Sequence, residues 1–306
     1  RKILMNESVD REVDGLVRLT STRFRLSFSY DGTDFFGWAK QPGLRTVQGE
    51  LLAALTVIFG EDESDFGIRV AGRTDAGVHA LHQQAHIELT EEQLDRLGRN
   101  RGDIDNPRFL ADRLNRILTD DLRVHSVAPA PEGFDARFSA TFRRYRYRIA
   151  DGLSGQNPLE SRYTLHVFQN LDTLAMQAAA LEVLGLHDFA SFCRPRPGST
   201  TIRELREVTV TRNAAAGNVI EIELLADAFC HNMVRSIVGA LIAVGKGQAT
   251  SADIRATLER ASRTESYRVV AAKGLTLIEI GYPADDKLAE QAEMAKNLRS
   301  HDELEG

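Results

Sequence analysis

The chain has 306 residues, 42% of them hydrophobic and 27% charged, with a formal net charge of -6. Length and composition fit a globular protein with a large buried core and exclude collagenous, low-complexity or disulfide-dense small-domain classes. The longest apolar runs, such as Ile237 to Val244 with its Gly239, fall far short of the roughly 20 residues that cross a bilayer. No charged-then-apolar segment opens the chain, so secretion is not expected. Cys193 and Cys230 stand apart and form no CxxC, which argues against a disulfide framework and for a reducing cytoplasm.

Residues 1–22 are polar and charged without periodicity and read as an N-terminal appendage. Phe24, Leu26, Phe28 and Tyr30 then alternate as a half-buried strand, and Val47, Leu51, Leu55 and Ile58 recur at helical spacing. Phe66, Ile68 and Val70 predict a second strand, and Ala85, Ile87 and Leu89 a third. Leu110, Leu114 and Ile117 predict a helix, and Leu122 with Val124 a fourth strand. A Pro-Ala-Pro-Glu-Gly break near 129–135 ends this first half, residues 23–130.

The second half, residues 131–284, repeats the order. It has a strand at Tyr145, Tyr147 and Ile149, a helix over 171–184, and strands at Val208 with Val210 and at Ile220 to Leu224. A helix through Met233, Ile237 and Leu241, a short one over 251–261 and a closing strand over 275–282 follow. The expected fold class is α+β: two ferredoxin-like β-α-β-β-α-β halves whose sheets join edge to edge as one mixed, mainly antiparallel sheet, leaving a central cleft. Residues 285–306 carry seven acids against three bases and read as an acidic, flexible tail.

Ala71-Gly72-Arg73-Thr74-Asp75-Ala76-Gly77-Val78-His79 is the most informative stretch. It holds one carboxylate, Asp75, between two glycines with an arginine two residues before it. A nearby arginine keeps a carboxylate ionised, glycine allows close approach of a ligand to the main chain, and an anionic Asp can act as nucleophile or base. The same residues also suit an ordinary polar turn. Between Arg137 and Arg148 stand five arginines (137, 143, 144, 146 and 148) and no acid, the footprint of a phosphate-binding surface. Alternation puts Tyr145 and Tyr147 on one face of that strand and Arg144, Arg146 and Arg148 on the other. A tyrosine there can stack on a nucleobase or simply fill the core.

Arg235, set in an apolar helical segment, requires a carboxylate partner if it is buried, and Asp75 is the candidate. His79, His82 and His86 could suggest a metal, but the strand-like setting of His86 and the lack of nearby acidic or thiol ligands point to none. Asp31-Gly32-Thr33 with Phe35-Phe36-Gly37-Trp38 reads as a strand-ending turn whose aromatics pack.

Together these segments resemble the TruA-type tRNA pseudouridine synthase family. The matching stretches are Tyr30-Asp31-Gly32-Thr33 with Phe36-Gly37-Trp38, Thr46-Val47-Gln48, Ala71 to His79, Phe134 to Ala140, and Arg144 to Tyr147. His187-Asp188-Phe189 with Ser191-Phe192, and Phe229 with His231, Met233-Val234-Arg235 and Ile237-Val238-Gly239, complete them. The resemblance implies that Asp75 is the catalytic nucleophile, that Tyr145 contacts the target uracil, that Arg235 pairs with Asp75, and that Arg73 and Arg137 hold the RNA. It also implies isomerisation of uridine to pseudouridine at positions 38, 39 and 40 of the tRNA anticodon stem-loop, by a homodimer, without metal or organic cofactor. The alternative is a non-catalytic RNA-binding protein built from RNA-recognition-like units. One departure is Val269 to Leu275, which lacks the proline often found before the Gly-Leu of this family.

Overall fold

The computed structural model describes residues 21–60, 66–98, 107–194, 199–262, 267–297 and 301–304. In the first half β1 (Ser21–Tyr30), α1 (Val47–Phe59), β2 (Arg69–Val70), β3 (His79–Thr90), α2 (Glu91–Gly98), α3 (Pro107–Ile117) and β4 (Leu122–Pro129) follow one another. The second contains β5 (Phe142–Ala150), β6 (Leu165–His166), α4 (Thr173–Ala180), β7 (Gly185–Asp188), β8 (Ile202–Asn213) and β9 (Val219–Ala226). It ends with α5 (Met233–Gly245), α6 (Ser251–Glu259) and β10 (Leu275–Gly281), and α7 (Leu288–Met294) lies beyond it.

The strands form one sheet in the order β4-β1-β3-β10-β5-β9-β8-β7, with β2 on β3 and β6 on β5. The expected two-half mixed sheet is therefore present. Its halves join through a short parallel pairing, Thr276 with His79 and Leu277 with Ala80. Further along the same edge of β3, β2 pairs antiparallel at Arg69 with His86 and Val70 with Ala85. Thus β10 and β2 share one edge of β3, and the chain between β2 and β3, residues 71–78, lies where they part. Backbone pairing alone brings the Asp75 loop to the junction of the halves.

The helices cover one face with apolar side chains. On α1, Thr46 accepts from the Gly49 N–H at 3.2 Å and Gly60 closes the helix at φ 70°, each satisfying terminal backbone groups. Helix α5 is apolar on nearly all sides, with Met233, Val234, Ile237, Val238, Leu241 and Ile242 all buried. Gly239 is required there, because a Cβ would lie 2.0 Å from the Arg268 carbonyl.

Several sequence expectations are corrected. β1 begins at Ser21, so the N-terminal boundary lies before residue 22, and residues 1–20 lie outside the described residues. The strand expected over 66–70 shrinks to two residues, since Phe66 and Gly67 take positive φ and so leave the extended region. Cys193 and Cys230 are joined in a disulfide, with Cα atoms 5.7 Å apart, a separation typical of the bond. The tail does not depart at 285: Leu288 and Ala292 are buried, Leu288 packs with Phe134 and Ala136, and the Leu288 carbonyl accepts from Ser139 Oγ at 3.0 Å. Among the described residues no helix is long and apolar enough to cross a membrane.

Candidate active site

The loop carrying Asp75 is bonded along most of its length. Ala71 donates to the Gln84 carbonyl at 2.8 Å, and the Ala71 carbonyl accepts from Arg143 Nη2 at 2.9 Å. Gln83 Nε2 donates to the Gly72 carbonyl at 2.8 Å and to the Tyr30 hydroxyl at 3.2 Å. Tyr30 in turn shares a 2.8 Å hydrogen bond with Thr74 Oγ1. Trp38 N–H donates to the Thr74 carbonyl at 3.0 Å, Gly77 N–H to Phe35 at 3.2 Å, and Val78 N–H to Asp75 at 3.2 Å. The Phe35 to Trp38 turn is thus the bed of the loop, and Gly37 is obligatory in it: its φ is +89° and a Cβ would meet the Thr74 carbonyl at 2.9 Å. As expected, Phe35 and Trp38 pack in the core, whereas Phe36 is exposed. Burial pushes the Tyr30 hydroxyl up to about 12, against its hydrogen bonds with Thr74 and Gln83, so it stays protonated as a structural strut.

Tyr145 on β5 faces this loop. Its hydroxyl lies 3.9 Å from where a Gly72 Cβ would stand, and its ring meets Phe229 edge-to-face at 5.1 Å. Burial raises the Tyr145 pKa, with the charges of Tyr30 and Asp75 adding and Arg143 opposing. The phenol is therefore neutral at pH 7. Tyr147, the next on the same face, is a core tyrosine whose hydroxyl donates to the Ala271 carbonyl at 2.7 Å.

Arg73 and Arg137 are both exposed and are close enough to feel each other. Burial, then Arg73 and Arg69, hold Arg137 below the ordinary arginine value, with Asp135 opposing. Arg69 and Arg137 also share the Phe138 ring, at 5.7 and 5.0 Å from its centroid. Asp135 organises the cluster. Its Oδ1 accepts from the Arg137 and Phe138 N–H groups at 2.8 and 2.9 Å, and its Oδ2 accepts from Arg69 Nη1 at 2.6 Å. Burial opposes its ionisation, but those backbone bonds, with His86 and Arg69, leave its pKa lowered.

Arg235 does not meet the expectation of pairing with Asp75. Its Nε donates to the Val270 carbonyl at 2.7 Å and its Nη1 to Asn232 Oδ1 at 3.3 Å. The helix carries its guanidinium toward the 268–271 segment, which it ties to α5. A described side chain that does reach Asp75 is His231, with Nε2 3.5 Å from Oδ2. His231 and Arg69 had not been singled out for a role. The position of Arg69 four residues before Arg73 was the available signal.

The arginine run also divides. Arg143 turns inward and donates to the Ala71, Arg137, Ala140 and Asp227 carbonyls, joining the segments around the site. Arg144, Arg146 and Arg148 lie on the opposite face of β5 and pair with glutamates. Arg144 takes Glu207 and Glu279 at 2.7 and 3.0 Å, Arg146 takes Glu223 at 2.6 Å, and Arg148 takes Glu160 at 2.6 Å. The phosphate-binding reading of those three is therefore withdrawn. The three histidines considered for a metal lie along extended β3, where His79 and His86 are separated by about 23 Å at the usual strand rise. Asp31 is engaged by Thr33 and Arg162.

A mixed sheet of two ferredoxin-like halves, with one aspartate on a glycine-flanked loop at their junction beside a tyrosine and two arginines that pair with no carboxylate among the described residues, is the architecture of the pseudouridine synthase type. A family profile described as tRNA pseudouridine synthase matches residues 26–139 and 179–283. The chain is 46% identical to tRNA pseudouridine synthase A of Leifsonia xyli subsp. xyli, over 92% of this chain and 98% of that one. It is 47% identical to tRNA pseudouridine synthase A of Frankia casuarinae, over 94% and 97%, and 45% identical to that of Mycobacterium leprae, over 91% and 96%. The chain belongs to the tRNA pseudouridine synthase family, isomerases that act on uridine in tRNA.

Proposed function

We propose that this protein converts uridine to pseudouridine at positions 38, 39 and 40 of the tRNA anticodon stem-loop, with Asp75 as the nucleophile. It works in the cytoplasm as a homodimer, without metal or organic cofactor. The observation that carries the reading is the Asp75 loop itself, bonded along its backbone and set between Tyr145 and the Arg69, Arg73 and Arg137 cluster. The reaction breaks the N1–C1′ bond, turns the uracil and joins C5 to C1′, and the C5 proton departs as N1 gains one. Nothing is oxidised or hydrolysed, so one positioned carboxylate suffices to begin it.

Tyr145 supplies an apolar, protonated surface against the detached uracil. Arg73 and Arg137, on the exposed rim, hold the backbone phosphates of a strand whose target nucleotide has been turned outward. Arg235 acts through the backbone, by fixing the 268–271 segment beside the site. Asp75→Asn tests the assignment with little change of shape. The variant is expected to bind tRNA normally yet release no tritium from C5-labelled uridine, whereas release at the unaltered rate would overturn it. Mapping pseudouridine in tRNA from cells with and without the protein checks the three positions.

A further inference from the structure

The contact between His231 and Asp75 crosses the junction of the halves, from the segment before α5 to the loop between β2 and β3. On the reading that Asp75 is the nucleophile, we propose that His231 is its positioning residue: Nε2–H donates to Oδ2 and turns Oδ1 toward the target nucleotide.

An aspartate carboxylate rotates in a broad, two-fold well about its last torsion. The backbone bonds of the 71–78 loop fix where Asp75 starts, and the groups that its carboxylate meets set that torsion. His231 reaches the carboxylate from outside the loop, with Nε2 3.5 Å from Oδ2. That is long for a hydrogen bond, as catalytic contacts often are before substrate tightens them. The Asp75 side chain keeps 35% of its exposure while that of His231 keeps only 15%. The histidine is thus the more enclosed member of the pair and the aspartate the more exposed one.

The backbone of His231 is held on both sides. Cys230 before it is in the disulfide to Cys193, and the Cys230 carbonyl accepts from Met233 N–H at 3.0 Å. The His231 carbonyl accepts from Arg194 N–H at 2.8 Å, and Asn232 after it takes the left-handed φ of 69° that starts α5. Phe229, two residues earlier, packs on Tyr145. One short segment therefore places both the aromatic wall behind the uracil-facing tyrosine and the donor beside the nucleophile, and such orientation is worth rate.

Reach distinguishes this role from simple support. Gln carries a donor nitrogen near the place of histidine Nε2, Asn carries one near Nδ1, and Leu carries none. The three variants are compared by single-turnover tritium release, by Kd for tRNA and by thermal melting, with Asp75→Asn alongside. His231→Leu and His231→Asn are expected to lose about 10- to 100-fold in kcat, the range for one hydrogen bond to a charged carboxylate. Their Kd and melting temperature should stay near those of the unaltered protein, and His231→Gln should recover most of the loss. A kcat for His231→Leu within twofold of the unaltered value overturns the proposal. So does His231→Gln falling as far as His231→Asn, or a loss in all three that follows the melting temperature. If Asp75→Asn is inert while His231→Leu is fully active, the positioning role alone fails. If Asp75→Asn turns over, the nucleophile reading fails and this inference with it.

Discussion

Two sets of three arginines, one on β5 and one at the junction of the halves, have opposite fates. On the outer face of the sheet Arg144, Arg146 and Arg148 meet Glu160, Glu207, Glu221, Glu223 and Glu279, so that face carries charge without a surplus of it. At the junction Arg69, Arg73 and Arg137 share one carboxylate, Asp135, which takes Arg69. Among the described residues no carboxylate pairs with Arg73 or Arg137. A polyanion gains by replacing condensed counterions only where cations are not already neutralised. On the proposed function, the surplus and not the number of arginines is what would mark the RNA-binding surface in a chain whose net charge is -6.

The largest effect should come from the surplus set. Replacing Arg73 and Arg137 by Ala together removes two candidate phosphate contacts. The slope of log K against log salt should then flatten by about two, and tRNA affinity should fall on the order of 100-fold at moderate salt. Titration of labelled tRNA at several salt concentrations reads both, and an unaltered slope would break the contrast between the sets.

A smaller effect concerns what lies beneath the surplus. His86 accepts from Ala136 N–H at 3.0 Å through Nδ1, which fixes the loop that presents Arg137. Burial, helped by the charge of Arg23 and opposed by Asp135, pushes its pKa down to about 4, against the usual 6.5. A folded pKa below the unfolded value favours the neutral form. Its contribution is complete above pH 6.5 and is lost as pH falls through 4. The loss builds as pH falls from 6.5 to 4 and reaches on the order of a few kcal/mol. Denaturant unfolding of the unaltered protein and of His86→Asn, whose Oδ1 can replace Nδ1, measures it. The variant should lose less stability than the unaltered protein between pH 6.5 and 4, and equal slopes would remove His86 from the account.

Much of this was legible before any coordinates. Alternation placed Tyr145 inward and Arg144, Arg146 and Arg148 outward, and the Gly-flanked Asp75 stood out as one acid near an arginine between two glycines. What alternation on one strand cannot contain is the neighbour's chemistry. Glu207, Glu221 and Glu223 arrive on β8 and β9, and Glu279 on β10, 63 to 135 residues away in the two Arg144 contacts. A cationic stripe read alone therefore resembled a phosphate footprint. Cys193 and Cys230 misled for the same reason, since their 37-residue separation carries no information about distance in space. Strand β7, four residues of Gly-Leu-His-Asp, was too short for a period to register. Arg235 was expected to take a carboxylate, Asp75, and takes carbonyl and amide oxygens instead.

The paired set yields the smallest expected effect and the sharpest control. Arg144 and Arg146 are one fifth to one third exposed, and their partners more so at Glu207 and Glu279. Water screens these pairs, and each contributes under about 1 kcal/mol. Replacing Arg144 by Ala leaves two half-exposed glutamates rather than a buried charge, so stability should fall by no more than that. Because the replacement also makes the outer face more negative, a long-range effect alone would weaken tRNA binding slightly at low salt and vanish above 0.1 M, where the Debye length shortens to about 10 Å. A direct phosphate contact behaves otherwise, since it reduces the slope of log K against log salt by about one per contact over the whole range. An unchanged slope for Arg144→Ala and Arg146→Ala, beside a flattened one for Arg73→Ala, would place the RNA on the junction side of the sheet. A slope lowered equally in all three would mean that the glutamate pairs open to admit RNA and that the two sets differ only in what they hold while they wait.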